Sequence, residues 1–195
     1  MDKDQLLQII ELSKSKDQKA FQMLVEHYQS YAFSLAFRLV CDAEEAKDIV
    51  QESFIRVWQH LGKFDLKTKF TTWLYKIVFN LSLDKLKANK RRKGIILDSE
   101  HNSLLFEKLG GENPETEIAN KDLANIIQTL ADELTPKQRA VFILRDLQGA
   151  EMDEISEITS MSKGTVKSNL YYARLNIREK LKKNEQIKTL QDELR

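Results

Sequence analysis

Apolar residues recur every three or four positions along most of this chain, which is the spacing of one face of an α-helix. Such stripes cover residues 6–10, 21–28, 31–40, 46–58, 73–86, 141–147, 152–158 and 166–181. Alternating patterns typical of strands are weak, and the 195 residues include only six glycines and two prolines. The pattern therefore predicts an all-α fold.

Polar residues suited to helix capping stand just before several stripes. Asp17 and Asp42 are predicted to cap the second and third helices, and Ser162 the last one. The run Thr-Pro-Lys-Gln at 135–138 has the features of a capping box with proline at the first helical position. Gly62 is predicted to end the third helix, which begins after Asp42. Between about residues 94 and 115 the helical pattern fails, which indicates a linker.

Charge is segregated along the chain although the net charge is only +1. Residues 63–93 hold ten basic against two acidic residues, a net charge of +8, with five aromatic residues among them. Residues 161–183 have a net charge of +6, whereas residues 42–54 and 94–127 have −4 and −5. Cations attract phosphates and aromatic faces stack on unpaired bases, so the first basic segment predicts a surface for single-stranded nucleic acid. An amphipathic helix with a solvated basic face is the alternative.

The segment after Gly149 has the pattern of a helix-turn-helix. A short helix is followed by a turn near residues 159–161 and by a longer helix whose stripe at 166–181 faces inward. Such a pair of helices can place the second one in the major groove, and an ordinary helical hairpin is the alternative. The outward side chains can donate to phosphates and base edges: Lys163, Thr165, Lys167, Ser168, Asn169, Tyr171, Tyr172 and Arg174.

Signals of enzymatic or membrane function are weak. Cys41 is the only cysteine, the three histidines are scattered without metal-ligand spacing, and no phosphate loop or nucleophile arrangement is present. The N-terminus lacks the apolar core of a signal peptide, and no apolar run reaches the length of a bilayer span. We therefore expect no catalytic site, no metal, no cofactor, no membrane insertion and a cytoplasmic location.

Two blocks of the chain carry motifs of a known family. The run DIVQESFIRVW at 48–58 is similar to D-I/L-V-Q-E-S/T-F-x-R-V/A-W, and residues 70–84 are similar to F-x-T-W-L-Y-R/K-I-x-x-N-x-x-x-D. Further along, LTPKQR at 134–139 and GTVKS at 164–168 match the same family's C-terminal domain. The chain thus resembles bacterial RNA polymerase sigma factors of the extracytoplasmic-function group within the sigma-70 family.

The resemblance implies two helical domains joined by a flexible linker. Region 2 corresponds to residues 1–93, an acidic linker to 94–127, region 4 to 128–184, and a C-terminal tail to 185–195. It also implies a specificity subunit that binds core RNA polymerase, melts the −10 promoter element and reads the −35 duplex. The implied partners are the clamp helices and flap of the polymerase, promoter DNA and an anti-sigma factor. The acidic linker would pass near the active-site channel and mimic nucleic acid, or would simply be solvated.

The family match also assigns roles to particular residues. Docking on the polymerase falls on Asp48, Gln51, Glu52, Ile55 and Arg56. Contacts to the −10 element fall on Phe64, Lys67, Thr68, Lys69, Phe70, Lys76 and Asn80. Contacts to the −35 element fall on the outward side of the helix-turn-helix already described. Phe70 and Trp73 could equally be core residues, and for Trp73 we favour the core. Many members of the family carry a basic residue in place of Tyr172 and Arg or His near Asn169, so packing of Tyr171 or Tyr172 on sugars or on a thymine methyl is an alternative.

A conventional helix-turn-helix repressor is the rival interpretation. Such a protein needs a ligand-binding or dimerisation module beside its DNA-binding domain. The first domain here instead carries a basic and aromatic surface next to an acidic helix. This combination favours a sigma factor.

Overall fold

The computed structural model describes residues 2–93 and 134–193. The chain divides into two compact units, Met1–Arg91 and Arg92–Arg195. Every regular element in the described ranges is helical, which confirms the prediction of an all-α fold with two helical domains. The predicted acidic linker at 94–127 lies outside the described residues.

The first unit contains four α-helices and one short turn of 3-10 helix. They are α1 (Lys3–Lys14), α2 (Gln18–Val40), α3 (Ala43–His60), the 3-10 turn Leu61–Lys63, and α4 (Phe70–Lys93). The two stripes predicted at 21–28 and 31–40 belong to one continuous helix, α2, because no helix-breaking residue separates them.

Aspartate caps set the starts of α2 and α3. The carboxylates of Asp17 and Asp42 each accept a hydrogen bond from the backbone N–H three residues further on, at 3.0 and 2.8 Å. Each bond satisfies an N–H group that the first helical turn leaves without a partner, as predicted. The predicted end of α3 at Gly62 was wrong. The helix ends at His60, and Gly62 lies inside the 3-10 turn without a positive φ.

The core of the first unit forms where α1, α2 and α3 pack together. Its fully buried side chains include Ile10, Leu24, Leu35, Leu39, Val57, Leu61 and Leu74. The later part of α4 is held against the start of α3 by a polar contact. Both carboxylate oxygens of Glu45 accept from the side-chain amide of Asn89 at 2.9 Å, and one lies 3.8 Å from the Lys85 ammonium. This contact joins the start of α3 to the later part of α4.

The second unit is a smaller set of helices around the helix-turn-helix. They are α5 (Pro136–Phe142), a π-helical turn (Ile143–Leu147), α6 (Met152–Thr159) and α7 (Lys163–Glu193). The predicted capping box at the start of α5 is confirmed: the Thr135 hydroxyl accepts from the Gln138 N–H at 3.3 Å, and Thr135 N–H donates back to the Gln138 side chain at 3.1 Å. The helical backbone of α7 continues through most of the predicted C-terminal tail.

Candidate docking and nucleic-acid surfaces

One outward side of α3 carries the residues predicted to dock on the polymerase. Asp48, Gln51 and Ile55 are exposed, and Ile55 is 44% exposed, which is high for a large apolar side chain. The Arg56 guanidinium donates to the Glu52 carboxylate at 2.8 Å, one helical turn away. Because these two charges offset each other, the docking face combines one apolar side chain, one amide and the Asp48 carboxylate.

A groove with a volume of about 920 Å³ runs between α2 and α3 beside this face. Apolar side chains line its walls: Phe21, Val25, Phe33, Val50, Phe54, Ile55 and Trp58. Glutamines form much of its rim: Gln18, Gln29, Gln51 and Gln59. Sequence reasoning placed Gln51 and Ile55 on the docking face but missed the wall that α2 supplies. The available signal was a second row of residues on α2, four positions apart, at 21, 25, 29 and 33.

Lys16, in the turn between α1 and α2, holds one end of the groove. Its ammonium donates to the backbone carbonyl of Trp58 at 2.6 Å and lies 4.6 Å from the centre of the indole ring. The Phe21 ring also packs on Trp58, with 4.8 Å between the ring centroids. This cation–π and aromatic contact fixes the orientation of the indole that forms the groove wall.

An aromatic cluster underlies the loop between α3 and α4. The rings of Phe64, Phe70 and Trp73 lie 5.0 to 6.0 Å apart, and Tyr28 of α2 lies 5.0 Å from Phe70. Phe64 is 6% exposed and Phe70 3%, whereas Trp73 is half-buried. Phe64 and Phe70 were candidate DNA contacts. Their burial places both rings in the hydrophobic core instead, since apolar rings of this size gain more from packing than from solvent exposure.

Polar candidates for the −10 element surround this aromatic cluster. Lys67, Lys69 and Asn80 are exposed, and Thr68 and Lys76 are half-buried. A tight turn at Asp65 shapes the loop: its carboxylate accepts from the Lys67 N–H and its carbonyl from the Thr68 N–H, both at 3.0 Å. The turn places the Lys67 side chain at the surface. A cationic surface therefore lies over a rigid aromatic base.

Tyrosine side chains extend this area onto α2. Burial raises the pKa of Tyr75 on α4, with a further increase from Tyr31 and a smaller lowering by the Arg38 guanidinium. Burial also lowers the pKa of Arg38. Tyr75 thus remains a neutral hydroxyl at physiological pH. Tyr31 is 56% exposed beside this group and was missed, because the apolar pattern of 31–40 predicted a core helix.

The second unit has the geometry of a helix-turn-helix. Helix α6 ends at Thr159, and its C-cap residue Ser160 adopts the left-handed conformation with φ 55°. The Ser156 hydroxyl donates across the turn to the Met161 carbonyl at 2.6 Å. The Ser162 hydroxyl accepts from the Thr165 N–H at 3.2 Å, which confirms the predicted cap of α7. We call α7 the recognition helix.

Several predicted −35 residues are engaged within the unit. The Lys163 ammonium lies 2.6 Å from the Asp153 carboxylate, and the Asn169 amide donates to the Thr165 carbonyl at 2.8 Å. Arg174 forms two hydrogen bonds with Asp146, at 2.9 and 2.6 Å, which raise the pKa of its guanidinium. Arg174 was a candidate DNA contact, and this geometry supports a role in positioning the recognition helix.

The Thr165 side chain is also exposed, with its hydroxyl 2.9 Å from the Ser162 hydroxyl. Four further predicted side chains are exposed on the recognition helix: Lys167, Ser168, Tyr171 and Tyr172. Tyr171 is 64% exposed and Tyr172 53%, and their rings meet edge to face with centroids 5.4 Å apart. The exposed surface of the recognition helix is therefore polar at Lys167 and Ser168 and aromatic one turn later, at Tyr171 and Tyr172.

Neither metal binding nor membrane insertion has support in the described part of the chain. No group of three or more histidine, cysteine, aspartate or glutamate side chains there is arranged to hold a metal ion. None of the helices there has the combination of length and apolar composition that crossing a membrane requires.

Two family models match the chain. The model for sigma-70 region 2 matches residues 24–92, and the model for sigma-70 region 4 matches residues 124–177. The first range contains the docking face and the basic loop, and the second contains the helix-turn-helix.

Solved structures share this fold. A sigma factor RpoE from Bartonella quintana, solved with the anti-sigma factor NepR, aligns with a TM-score of 0.65 at 22% identity, over 84% of this chain and 98% of that one. CnrH, solved with the cytosolic domain of CnrY, aligns with a TM-score of 0.63 at 20% identity, over 89% and 95%.

Curated proteins are similar over nearly their whole length. The chain is 33% identical to the ECF RNA polymerase sigma factor SigW of Bacillus subtilis, over 87% of this chain and 92% of that protein. It is 34% identical to the ECF RNA polymerase sigma-E factor of Escherichia coli, over 91% and 94%. With both sigma-70 regions in order along one chain, the protein belongs to the extracytoplasmic-function group of RNA polymerase sigma factors.

Proposed function

We propose that this protein is a promoter-specificity subunit that binds core RNA polymerase, opens promoter DNA at the −10 element and reads the −35 element as duplex. The observation that carries the proposal is the arrangement of the first unit. A docking face on α3 leads through the short turn Leu61–Lys63 directly into the loop that presents Lys67 and Lys69. A unit docked through α3 would hold that loop at a fixed position on the polymerase.

Docking is assigned to the exposed side of α3 and the adjoining groove. Ile55 offers an apolar anchor at the centre, and Gln51 and Asp48 offer polar contacts around it. A partially exposed apolar residue surrounded by polar groups is the usual composition of an interface hot spot. The clamp helices of the largest polymerase subunit are the proposed partner.

Strand opening is assigned to the basic surface over the aromatic cluster. Lys67, Lys69 and Lys76 would hold the phosphates of the displaced strand, and Asn80 would hydrogen-bond to an unpaired base. Phe64 and Phe70 would act from below, by keeping the loop rigid, because both rings are buried. A rigid loop lowers the entropic cost of ordering the single strand.

Reading of the −35 duplex is assigned to the recognition helix. Lys167 is suited to a phosphate contact, and Ser168, Tyr171 and Tyr172 to the base edges. The second unit also carries the local net charge of +6 over residues 161–183 that binding to a duplex requires.

Regulation by an anti-sigma factor is the proposed control. Two structural relatives were solved with such a partner or with a cytosolic domain of a second protein. The groove between α2 and α3 is suited to an amphipathic helix, since its walls are apolar and its rim carries amides. The protein would act in the cytoplasm, and catalysis would belong to the polymerase.

Run-off transcription tests the proposed function. Core RNA polymerase from the same organism, with and without this protein, is incubated with genomic fragments, and start sites are mapped. We expect specific start sites only when both components are present. An absence of specific starts on the complete set of fragments, with a core enzyme that is active with another sigma factor, would contradict the proposal.

A further inference from the structure

We propose that Tyr171 and Tyr172 together read thymine methyl groups in the major groove, so that the −35 element of this protein is selected through thymine at one or two positions. The inference rests on the proposed function of the recognition helix and adds the chemistry of the base that is read. It concerns two exposed aromatic side chains on a helix that is otherwise rich in basic residues.

The two tyrosines lie on the face of the helix that would enter DNA. Ser168, Tyr171, Tyr172 and Leu175 are spaced at i, i+3, i+4 and i+7, so they share one side of α7, and all four are exposed. The opposite side is buried through Val166, Leu170, Ala173 and Ile177. The outward face is therefore built from two aromatic rings, one aliphatic side chain and the Ser168 hydroxyl.

Polar side chains that could otherwise read bases are used inside the unit. The Asn169 amide donates to the backbone carbonyl of Thr165 at 2.8 Å, and one edge of the Arg174 guanidinium, formed by Nε and one Nη, donates to Asp146. Lys163 pairs with Asp153 at 2.6 Å. Readout of adenine by Asn169 would compete with its contact to Thr165, and readout of guanine by Arg174 would have to use the guanidinium edge that does not face Asp146. The two rings, with Ser168 beside them, are exposed on the outward face and available to the base edges.

The ring pair has a shape that suits a methyl group. The two rings meet at 77° with centroids 5.4 Å apart, which leaves an apolar angle between the face of one and the edge of the other. In unmodified DNA the C5 methyl of thymine is the apolar group that projects into the major groove. Two adjacent exposed tyrosines are also typical of protein interfaces. Duplex DNA is favoured here because Lys167 lies one turn before Tyr171 and the surrounding helix is strongly basic.

Replacing thymine by deoxyuridine tests the inference, because it removes only the methyl group. Duplexes carrying the −35 sequence of a mapped promoter are prepared with each thymine changed in turn. Their affinity is measured with the complete holoenzyme. Removing one buried methyl should weaken binding about fourfold at the thymines that are read. Tyr171→Ala and Tyr172→Ala should abolish the difference between thymine and deoxyuridine, whereas Tyr171→Phe, which keeps the ring, should retain it.

Lys167→Ala is the matched control. It should lower the affinity for the thymine duplex and for the deoxyuridine duplex by the same factor, since a phosphate contact carries no information about the methyl group. Thermal melting of each variant verifies that the exposed substitutions leave the fold intact.

The outcomes separate this inference from the proposed function. Two results would overturn the methyl readout and leave the proposed function standing, provided that specific initiation is observed. In the first, deoxyuridine does not change the affinity at any position. In the second, deoxyuridine lowers the affinity of both alanine variants as much as that of the unmodified protein. Alanine variants that bind DNA normally but lose affinity for polymerase would identify the tyrosines as a protein-binding surface and also overturn it. A holoenzyme that starts at no specific site would contradict the function itself.

Discussion

The Arg174 guanidinium is joined by two hydrogen bonds, of 2.9 and 2.6 Å, to the carboxylate of Asp146, which stands 28 positions earlier in the chain. The contact ties the recognition helix to the π-helical turn that follows α5. Two N–H to oxygen bonds fix direction as well as distance, so this ion pair adds to the buried contacts of Val166, Leu170, Ala173 and Ile177 in holding the recognition helix within the unit.

We expect Arg174→Ala to lower the free energy of unfolding of the second unit by about 1 kcal/mol, because Arg174 is more than half exposed and solvent screens the pair. Its affinity for −35 duplex should fall less than that of Lys167→Ala. Chemical denaturation and duplex binding by the intact protein measure the two effects.

The double charge swap is the control for this pair. Asp146→Arg combined with Arg174→Asp should recover part of the stability that either change alone removes. A loss of duplex affinity in Arg174→Ala as large as in Lys167→Ala, with stability unchanged, would restore Arg174 to the set of direct DNA contacts.

A changed charge on the docking face should weaken assembly with polymerase. We expect Asp48→Arg or Ile55→Asp to lower the affinity for core enzyme by about tenfold or more, because the first reverses the charge of a proposed polar contact and the second places a carboxylate at the proposed apolar anchor. Fluorescence anisotropy of labelled protein titrated with core enzyme measures the effect. Glu44→Arg, on the same helix and with the same charge change as Asp48→Arg, serves as the control. Equal losses for Glu44 and Asp48 would argue against a localised docking face.

Removal of the loop cations should impair promoter opening more than assembly. We expect Lys67→Ala, Lys69→Ala and Lys76→Ala to reduce the open-complex fraction several-fold while affinity for core enzyme stays within about twofold. Permanganate oxidation of unpaired thymines reports the opening. Lys87→Ala is the matched control, because Lys87 is an exposed lysine on α4, the helix that also carries Lys76. A parallel fall in opening and in core binding would mean that these lysines support the structure of the loop.

Loss of an aromatic ring beneath the loop should appear first as instability. Phe70→Ala should lower the free energy of unfolding by about 3 to 5 kcal/mol, because it leaves a cavity next to Tyr28, Phe64 and Trp73. Phe70→Leu, which fills more of the space, should cost less and retain more promoter opening. A Phe70→Ala variant with normal thermal stability but no opening would show that the ring itself acts on DNA.

Local chemistry explains which features were predictable from sequence. The caps at Asp17, Asp42 and Thr135 were predicted because a capping side chain bonds to a backbone N–H only three residues away. The end of α3 was not, because Gly62 is compatible with several backbone conformations and the chain used a 3-10 turn instead of the left-handed one.

Contacts between distant residues account for what the sequence did not predict. The pairing of Arg174 with Asp146, the groove formed jointly by α2 and α3, and the burial of Phe64 all depend on how helices pack. A basic or aromatic residue in a helical pattern has the same spacing whether it contacts DNA, a carboxylate or the core. The roles of Arg174, Phe64 and Phe70 were therefore open until their neighbours were known.

The glutamines around the groove have a consequence for how the assembled complex would respond to ionic strength. Amide side chains carry no net charge, Lys47 beside them pairs with Glu44, and Glu52 pairs with Arg56 on the adjoining face, which leaves Asp48 as the main charge. Association through this surface should therefore depend less on added salt than DNA binding does. The recognition helix, by contrast, would release counterions from DNA, and its binding should fall steeply as salt rises. With increasing ionic strength, the protein should leave the promoter while it is still bound to the polymerase.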